Sequence, residues 1–356
     1  VLQSCGEEVK AAWPMVLAML KGVAQDQEAQ QVQQAFMCLQ LIRNDFLSAL
    51  PVDCLQLLLT TIGSFGLSDS DLNISLTAIT LLWNIADFFG RERHALLAAF
   101  SEVGYHPAQR SEEEEEDGVP LGVHNVDQLW LVLYQQLRHL AVDNRIEVRH
   151  SALRTLFTAL EAHGNVLEKS SWHQVVHELL LPVLDDVCRS ASSTGSDVPV
   201  EKALGSAPND GGGQMMLIHH SRNTLSKQWH TTWETALQGV ARMLSTFFAT
   251  LCVLESAGRA WGAFLKHVRD AIMQGSEQVA ACAITSVFEL MQRHLEKGAF
   301  PPAFFEAYWQ SVDSIVEEAV TSKDIPPKTL THLSRTLVAL QALPPSLPLL
   351  THTHIS

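Results

Sequence analysis

Charged side chains are scarce in this sequence, and basic ones are scarcer than acidic ones. Only 18% of the 356 residues are charged, against the roughly 25% that is typical of soluble domains. With 39 acidic and 24 basic residues, the formal net charge is −15. Because a negative chain repels phosphate groups, this balance disfavours nucleic acid as a main partner. It equally disfavours direct binding to an anionic bilayer, so the sequence predicts that membrane association is indirect and is made through proteins.

Cysteines and long apolar runs are also few. The six cysteines are scattered, with no CxxC pair and no spacing typical of metal ligands. This pattern predicts reduced thiols packed in a core and a cytoplasmic location. No unbroken run of about 18 apolar residues is present, so we expect no membrane-spanning segment. The chain opens on Val1 without a signal-peptide pattern, which predicts a piece of a larger protein.

Alternation of apolar and polar residues, the mark of β-strands, is nearly absent, and helical periodicity takes its place. Apolar residues recur every three or four positions, the spacing that lines one face of an α-helix. No Asn-Gly or Asp-Gly hairpin signal flanks an apolar run. The sequence therefore predicts an all-α fold. The segments with this spacing are 32–44, 72–89, 128–140, 148–163 and 278–295.

One apolar frame recurs along the chain. An aliphatic residue is followed four positions later by Ala, then directly by another apolar residue, and three positions further by an aliphatic one. A small Ala at a helix crossing lets two helix axes approach closely, as in HEAT and armadillo repeats. The frame favours a HEAT/armadillo-type α-solenoid, with an ordinary amphipathic helix bundle as the alternative. The clearest copy is Val148, Ala152, Leu153 and Leu156, and weaker or equal copies centre on Ala35, Ala78, Ala236 and Ala283.

The segment that precedes the clearest copy resembles the Asp-x-x-x-x-Val-Arg signature of HEAT repeats. It runs from Asp143 to Arg149. In that signature the Asp caps the helix and the Arg joins a ladder between repeats. We therefore expect Asp143 to act as a cap and Arg149 to connect neighbouring repeats.

Two stretches rich in polar residues, Gly and Pro interrupt the helical pattern, and they divide the chain. They are expected to be mobile surface loops, and the acidic run 112–117 inside the first is a solvated segment or, less favoured, a docking site for a basic partner. The predicted division is N-terminal helical repeats at 1–103, an acidic loop at 104–126, central HEAT-like repeats at 127–189, a Ser/Gly-rich loop at 190–213, further helical repeats at 214–300, and C-terminal helices with a frayed tail at 301–356.

No motif of catalysis or of cofactor or metal binding is complete. His173 and His177 are four positions apart on a predicted helix, but the His-Glu-x-x-His order and a third ligand are missing. His219 and His220 precede a serine without the Gly-x-Ser-x-Gly elbow of a hydrolase. The glycines at 211–213 lack the following Lys-Ser or Lys-Thr of a phosphate loop. The sequence thus predicts no catalytic residue, no cofactor and no metal ligand.

A block in the second half resembles one family closely. It runs from Gly211 through Ile218, His219, His220, Ser221 and Arg222 to Thr224, and continues to Trp229 and Trp233. Two further stretches, 74–88 and 147–164, carry the same resemblance, so that it covers about 72–260. The family is the Mon-Two family, the large Golgi and endosome proteins related to the Sec-Seven class of Arf guanine-nucleotide exchange factors.

The resemblance implies a non-catalytic helical-repeat scaffold in protein transport between endosomes and the trans-Golgi network. It also implies partners, namely a Dopey-family protein, an Arf-like GTPase and possibly a phospholipid flippase, and a peripheral position on those membranes. The family lacks the catalytic exchange domain. Two alternatives stay open, which are another solenoid adaptor, such as a transport receptor or a phosphatase scaffold, and a hydrolytic or metal-dependent enzyme.

The candidate partner-binding residues lie in the matched block. Trp229 and Trp233 are four positions apart and share one helical face. Trp and Arg are favoured at binding hot spots, so an exposed cluster would form a partner groove. The alternative is that both indoles are buried between adjacent repeats. The candidates are His219, His220, Arg222, Trp229 and Trp233.

Overall fold

The computed structural model describes residues 10–25, 28–102, 125–194, 202–203, 217–218, 224–322 and 325–341, and all statements below concern them. The chain divides into two compact units, unit 1 at 1–179 and unit 2 at 180–356, and each is described by itself. The expected all-α fold of HEAT/armadillo type is confirmed.

Unit 1 is built of helical hairpins. Three hairpins are described, formed by α1 with α2, α3 with α4, and α6 with α7. A shorter helix, α5, lies against α3, α4 and α6. The bounds are α1 Trp13–Val23, α2 Ala29–Leu41, α3 Val52–Gly66, α4 Leu72–Arg91, α5 Arg93–Glu102, α6 Val126–Leu140, α7 Ile146–His163 and α8 Lys169–Gln174, with π-helical turns at Ile42–Phe46 and Val175–Leu180.

The hairpins of unit 1 stack in two rows. The first helices form one row, in which α3 lies between α1 and α6, and the second helices form another, in which α4 lies between α2 and α7. Each hairpin therefore contacts only its neighbours, which is the arrangement of repeat proteins.

Unit 2 repeats this arrangement. Helix α9 pairs with α10 and α12 pairs with α13, while α9, α12 and α14 form one row and α10, α13 and α15 form the other. The bounds are α9 Leu181–Ser193, α10 Leu225–Thr246, α11 Phe248–Cys252, α12 Ala257–Gln274, α13 Glu277–Glu296, α14 Pro302–Ser322 and α15 Pro327–Gln341.

The recurring apolar frame lies on the second helix of a hairpin in all five copies. Its alanines fall on α2, α4, α7, α10 and α13, and each is buried. Each of these helices contacts both its own partner and the second helix of a neighbouring hairpin. A larger residue at the Ala position would hold the axes apart. The frame is thus the stacking surface of the repeats.

The expected helix cap by Asp143 is wrong. The Asp143 carboxylate caps no helix and instead accepts hydrogen bonds from Arg145 at 2.8 and 2.9 Å. Arg145 then donates to the carbonyls of Gly66 and Ser68 in the preceding hairpin, at 3.2 and 2.9 Å. Arg149 is buried and donates to the carbonyls of Asp143 and Asn144 in the turn before its own helix. Arg145, which Asp143 holds in place, therefore connects this hairpin to the preceding one.

A second polar connection joins α6 to α8. The buried Asp127 carboxylate accepts hydrogen bonds from the Glu168 backbone N–H at 2.8 Å and from the Ser171 hydroxyl at 2.7 Å. Both groups lie at the start of α8, where backbone N–H groups lack intrahelical partners. Asp127 therefore caps α8.

Some predicted segment boundaries differ from the structure. Helix α9 continues to Ser193, into the predicted loop 190–213, and its Ser190 and Ser193 hydroxyls donate to carbonyls of the preceding turn. Helix α6 begins at Val126, capped by Asn125. Residues 217–218, expected to be helical, pair as a short antiparallel strand with 202–203. The acidic run 112–117, the rest of the first loop and the predicted tail lie outside the described residues.

Helix α4 bears on the expectation that no segment spans a membrane. Among the described residues it is the one helix long and apolar enough to do so by length and composition. More than half of its most apolar stretch is buried inside the protein, against α3 and α7. A core helix of a repeat meets the same criterion.

Candidate functional site

The two candidate tryptophans lie near the start of α10. Thr224 caps this helix, since its hydroxyl accepts a hydrogen bond from the Lys227 N–H at 3.3 Å. The Trp229 side chain is 6% exposed and that of Trp233 is 1% exposed. Helix α10 lies against both α9 and α13, so the face that carries the two indoles is covered by neighbouring helices.

The structure therefore favours the alternative in which these tryptophans are core residues. The indole N–H of Trp233 is buried and has no hydrogen-bond acceptor among the described residues. His219, His220 and Arg222 lie outside the described residues, so the proposed cluster of five is placed only in part. Partner binding by these five residues stays a prediction.

The structure places side by side two separate stretches of sequence that carry the family resemblance. The stretch 74–88 lies on α4 and 147–164 on α7, and the two helices are neighbours. Trp83 of α4 and His163, the last residue of α7, lie next to each other, with ring centroids 6.3 Å apart. His163 also packs on Trp130 of α6 at 5.0 Å. The matched residues thus form one aromatic cluster, which the sequence did not show.

Close helix approach holds this cluster in place. A Cβ atom at Gly90 of α4 would lie 2.6 Å from the His163 ring, so only glycine leaves room for it. Burial lowers the pKa of His163, and the charge of Asp87 opposes that shift. The imidazole is therefore held in its neutral form and fills space between repeats. Gly90 and His163 are both visible in the sequence, but their contact can be recognised only once α4 is known to pair with α7.

A half-buried face of α4 lies beside this cluster. It presents Trp83, Asn84, Asp87 and Phe88, all only partly buried. Asp87 is paired with Arg91 at 3.1 Å on the same helix. Aromatic side chains with adjacent charges are the residue types found at protein interfaces. This arrangement can bind a protein surface.

One serine and one histidine meet as in a hydrolase, but their geometry is that of a structural pair. The Ser245 hydroxyl lies 3.1 Å from His294 Nε2, and the Ser245 carbonyl lies 3.1 Å from the same nitrogen. Nε2 must carry the proton in order to donate to that carbonyl, so it cannot accept a proton from the hydroxyl. Both residues are buried, and the His294 ring stacks on Phe248 at 4.0 Å. The pair therefore links α10 to α13.

The predicted histidine pair is close in space. The rings of His173 and His177 have centroids 4.7 Å apart. Within the described ranges, no group of three or more His, Cys, Asp or Glu side chains could hold a metal ion.

Comparisons with known proteins match a region that contains both stretches, 74–88 and 147–164. The family model described as the C-terminal region of Mon2 protein matches residues 44–299. The human Protein MON2 homolog is 38% identical over 312 residues, which is 85% of this chain and 17% of that protein. The Drosophila melanogaster homolog is 36% identical over 82% of this chain and 16% of its own length. The chain thus spans about a sixth of these relatives.

A more distant relative connects the chain to exchange factors. The Brefeldin A-inhibited guanine nucleotide-exchange protein 2 of Arabidopsis thaliana is 26% identical over 53% of this chain and 9% of that protein. Among solved structures, a circular tandem repeat protein gives a TM-score of 0.41 at 13% identity, covering 92% of this chain and 69% of that one. A score at that level adds nothing to the assignment. On the family model and the curated relatives together, the chain belongs to the Mon2 family, which is related to the Sec7-type Arf exchange factors.

Proposed function

We propose that this chain is a non-catalytic helical-repeat scaffold in vesicle and protein transport between endosomes and the trans-Golgi network. Membership of the Mon2 family carries this proposal. The stacked hairpins within each unit support it, because rows of helices present extended surfaces that suit binding. Scaffolding needs such surfaces and no reactive group.

The proposed partners are a Dopey-family protein, an Arf-like GTPase and a phospholipid flippase, and the proposed location is the cytoplasmic face of trans-Golgi and endosomal membranes. The family resemblance supports both. The net charge of −15 supports recruitment through proteins, since a negative chain is repelled by anionic lipids.

We also propose that the chain does not catalyse nucleotide exchange, although an exchange protein is among its relatives. Exchange requires an element that reaches the nucleotide and disturbs its phosphates and Mg²⁺, which are the groups that hold it. The family resemblance gives this chain only repeat domains. Its proposed contribution is to hold a GTPase or its regulators close together.

Binding and exchange are tested separately with the purified chain. The probes are a purified Dopey-family protein and an Arf-like GTPase loaded with GDP or with a GTP analogue, and binding is followed by interferometry. Release of labelled GDP is followed in parallel. We expect binding to at least one probe and GDP release at the intrinsic rate. Binding to neither probe, or release well above that rate, would refute the scaffold function.

Two variants separate docking from folding in the candidate cluster. Arg222→Ala is expected to weaken probe binding while the melting temperature stays unchanged, since Arg is a frequent hot-spot residue. Trp233→Ala is the matched comparison, because its buried indole should lower the melting temperature by several degrees. If Arg222→Ala leaves all binding unchanged, Arg222 is no part of the partner surface.

A further inference from the structure

The last two helices of unit 2 follow the family-matched region, which ends at residue 299. One side of α14 is occupied by α12. Trp261 of α12 donates a hydrogen bond to the Phe304 carbonyl at 2.8 Å, and the two rings stack with centroids 5.6 Å apart. Arg269 of α12 forms an ion pair with Glu318. The side of α14 that carries Phe304 and Glu318 therefore faces the preceding repeat.

Apolar residues lie on the opposite side of α14. Phe305, Trp309 and Val316 are spaced by four and seven positions, which places them on one helical face. Phe305 and Trp309 are half-buried and pack edge to face with centroids 6.0 Å apart. Val316 is 43% exposed. This stripe points away from the repeat that precedes it.

Helix α15, the last described helix of the other row, carries a further exposed apolar residue. Its Lys328 and His332 contact Glu277 and Thr285 of α13. Leu330 lies two positions from each, so it points to the opposite side of the helix, and it is 36% exposed. We call Phe305, Trp309, Val316 and Leu330 the end face. In the described part of unit 2, no further helix covers it.

A strip of acidic residues borders the end face. Glu306 and Asp313 are exposed and lie seven positions apart, so they share the helical face next to the apolar stripe. The whole of α14 contains no Lys, Arg or His. The apolar surface is therefore flanked by negative charge.

We propose that the end face binds a basic amphipathic helix of a partner protein. The apolar side of that helix would pack on Phe305, Trp309 and Leu330, as one repeat packs on the next. Its Lys or Arg side chains would meet the acidic strip, which adds attraction and fixes orientation.

Charge argues against the two other occupants. A second copy meeting the chain through the same face would bring two acidic strips together, and each copy has a net charge of −15. Residues 342–356 contain no Lys or Arg, so they cannot supply the positive charge that the acidic strip would attract. A basic helix from another protein satisfies both the apolar and the charged part of the face.

The probe is a synthetic amphipathic helical peptide with Leu on one side and Lys along its flanks, and the control peptide has Glu in place of each Lys. Binding to the full chain is measured by fluorescence anisotropy. We expect the Lys peptide to bind, more weakly as salt rises, and the Glu peptide not to bind. Double reversal of charge, Glu306→Lys with Asp313→Lys, should weaken Lys-peptide binding by about tenfold.

The controls keep the fold constant. Both reversed residues are exposed, so the melting temperature should be unchanged. Val316→Ser should also weaken binding, whereas Val253→Ser, at an apolar residue 61% exposed before α12, should not. Equal affinity for the two peptides, or no effect of charge reversal, overturns the proposal.

Two further outcomes would assign the end face to another occupant and would also overturn the proposal. One is a dimer in sedimentation velocity that Val316→Ser abolishes. The other is tighter peptide binding once the chain is truncated after Gln341, which would show that the C-terminal segment covers the face. None of these results bears on the proposed scaffold function, because binding of the Dopey-family and GTPase probes is measured separately.

Discussion

Gly90→Ala is expected to destabilise unit 1, although the same change is usually favourable in a helix. Replacing glycine by alanine inside a helix normally stabilises a protein by about 0.5–1 kcal/mol. At Gly90 the new methyl group would lie 2.6 Å from two atoms of the His163 ring. That ring cannot swing aside freely, because Trp83 and Trp130 pack against it at 6.3 and 5.0 Å.

The magnitude follows from two opposing effects. Overpacking of this kind costs about 1–3 kcal/mol, which exceeds the helix-propensity gain. The net loss in unfolding free energy should therefore be about 0.5–2 kcal/mol. Gly22 is the matched control, since it also lies one residue before the end of its helix and a Cβ there would meet nothing within 4 Å. Gly22→Ala should be neutral or stabilising.

Guanidinium unfolding, followed by circular dichroism, measures both variants. The Gly90→Ala midpoint should fall and the Gly22→Ala midpoint should not, with slopes unchanged. In a His163→Ala background the clash is gone, so Gly90→Ala should become stabilising, as Gly22→Ala is expected to be, giving a coupling energy of about 1–3 kcal/mol. The packing of α4 against α7 would be refuted if both glycine variants stabilised the chain equally.

Three further expectations rest on buried groups. Leu153→Asp should cost several kcal/mol, because it places an unpaired carboxylate at a fully buried position of α7, and an unchanged melting temperature would mean that the frame is out of register. Asp127→Ala should cost about 2–4 kcal/mol in denaturant unfolding, since it leaves the Glu168 N–H and the Ser171 hydroxyl unsatisfied. A loss no larger than that of Asp87→Ala, at a partly buried position, would contradict the cap. Burial lowers the pKa of His294 in the folded state, so its contribution to stability is present above the unfolded pKa of about 6.5 and is lost as pH falls below it. Melting curves between pH 8 and 5 should show this loss, and His294→Gln should flatten it; an unaltered pH profile in that variant would exclude His294 as its source.

The sequence by itself determined the fold class and the stacking surface of the repeats. Helical periodicity is a local property, so it can be read without knowing which helices touch. The Ala-centred frame marked α2, α4, α7, α10 and α13 because a close crossing restricts residue size wherever it occurs. The family-matched stretches were identifiable for the same reason, since each is contiguous in the chain.

Only the tertiary structure decided which of those residues are surface and which are core. Trp229 and Trp233 carry the same pattern whether a neighbouring helix covers them or not, and α9 and α13 cover them. The meeting of Trp83 with His163 required the pairing of α4 with α7. The sequence also did not show that Asp143 holds Arg145 in place. The carbonyls to which Arg145 donates belong to another hairpin, so they are known only from the tertiary structure. The exposure of Val316 and Leu330 likewise depends on which helix ends the row. Burial is set by neighbours distant in the chain, and local periodicity does not specify those neighbours.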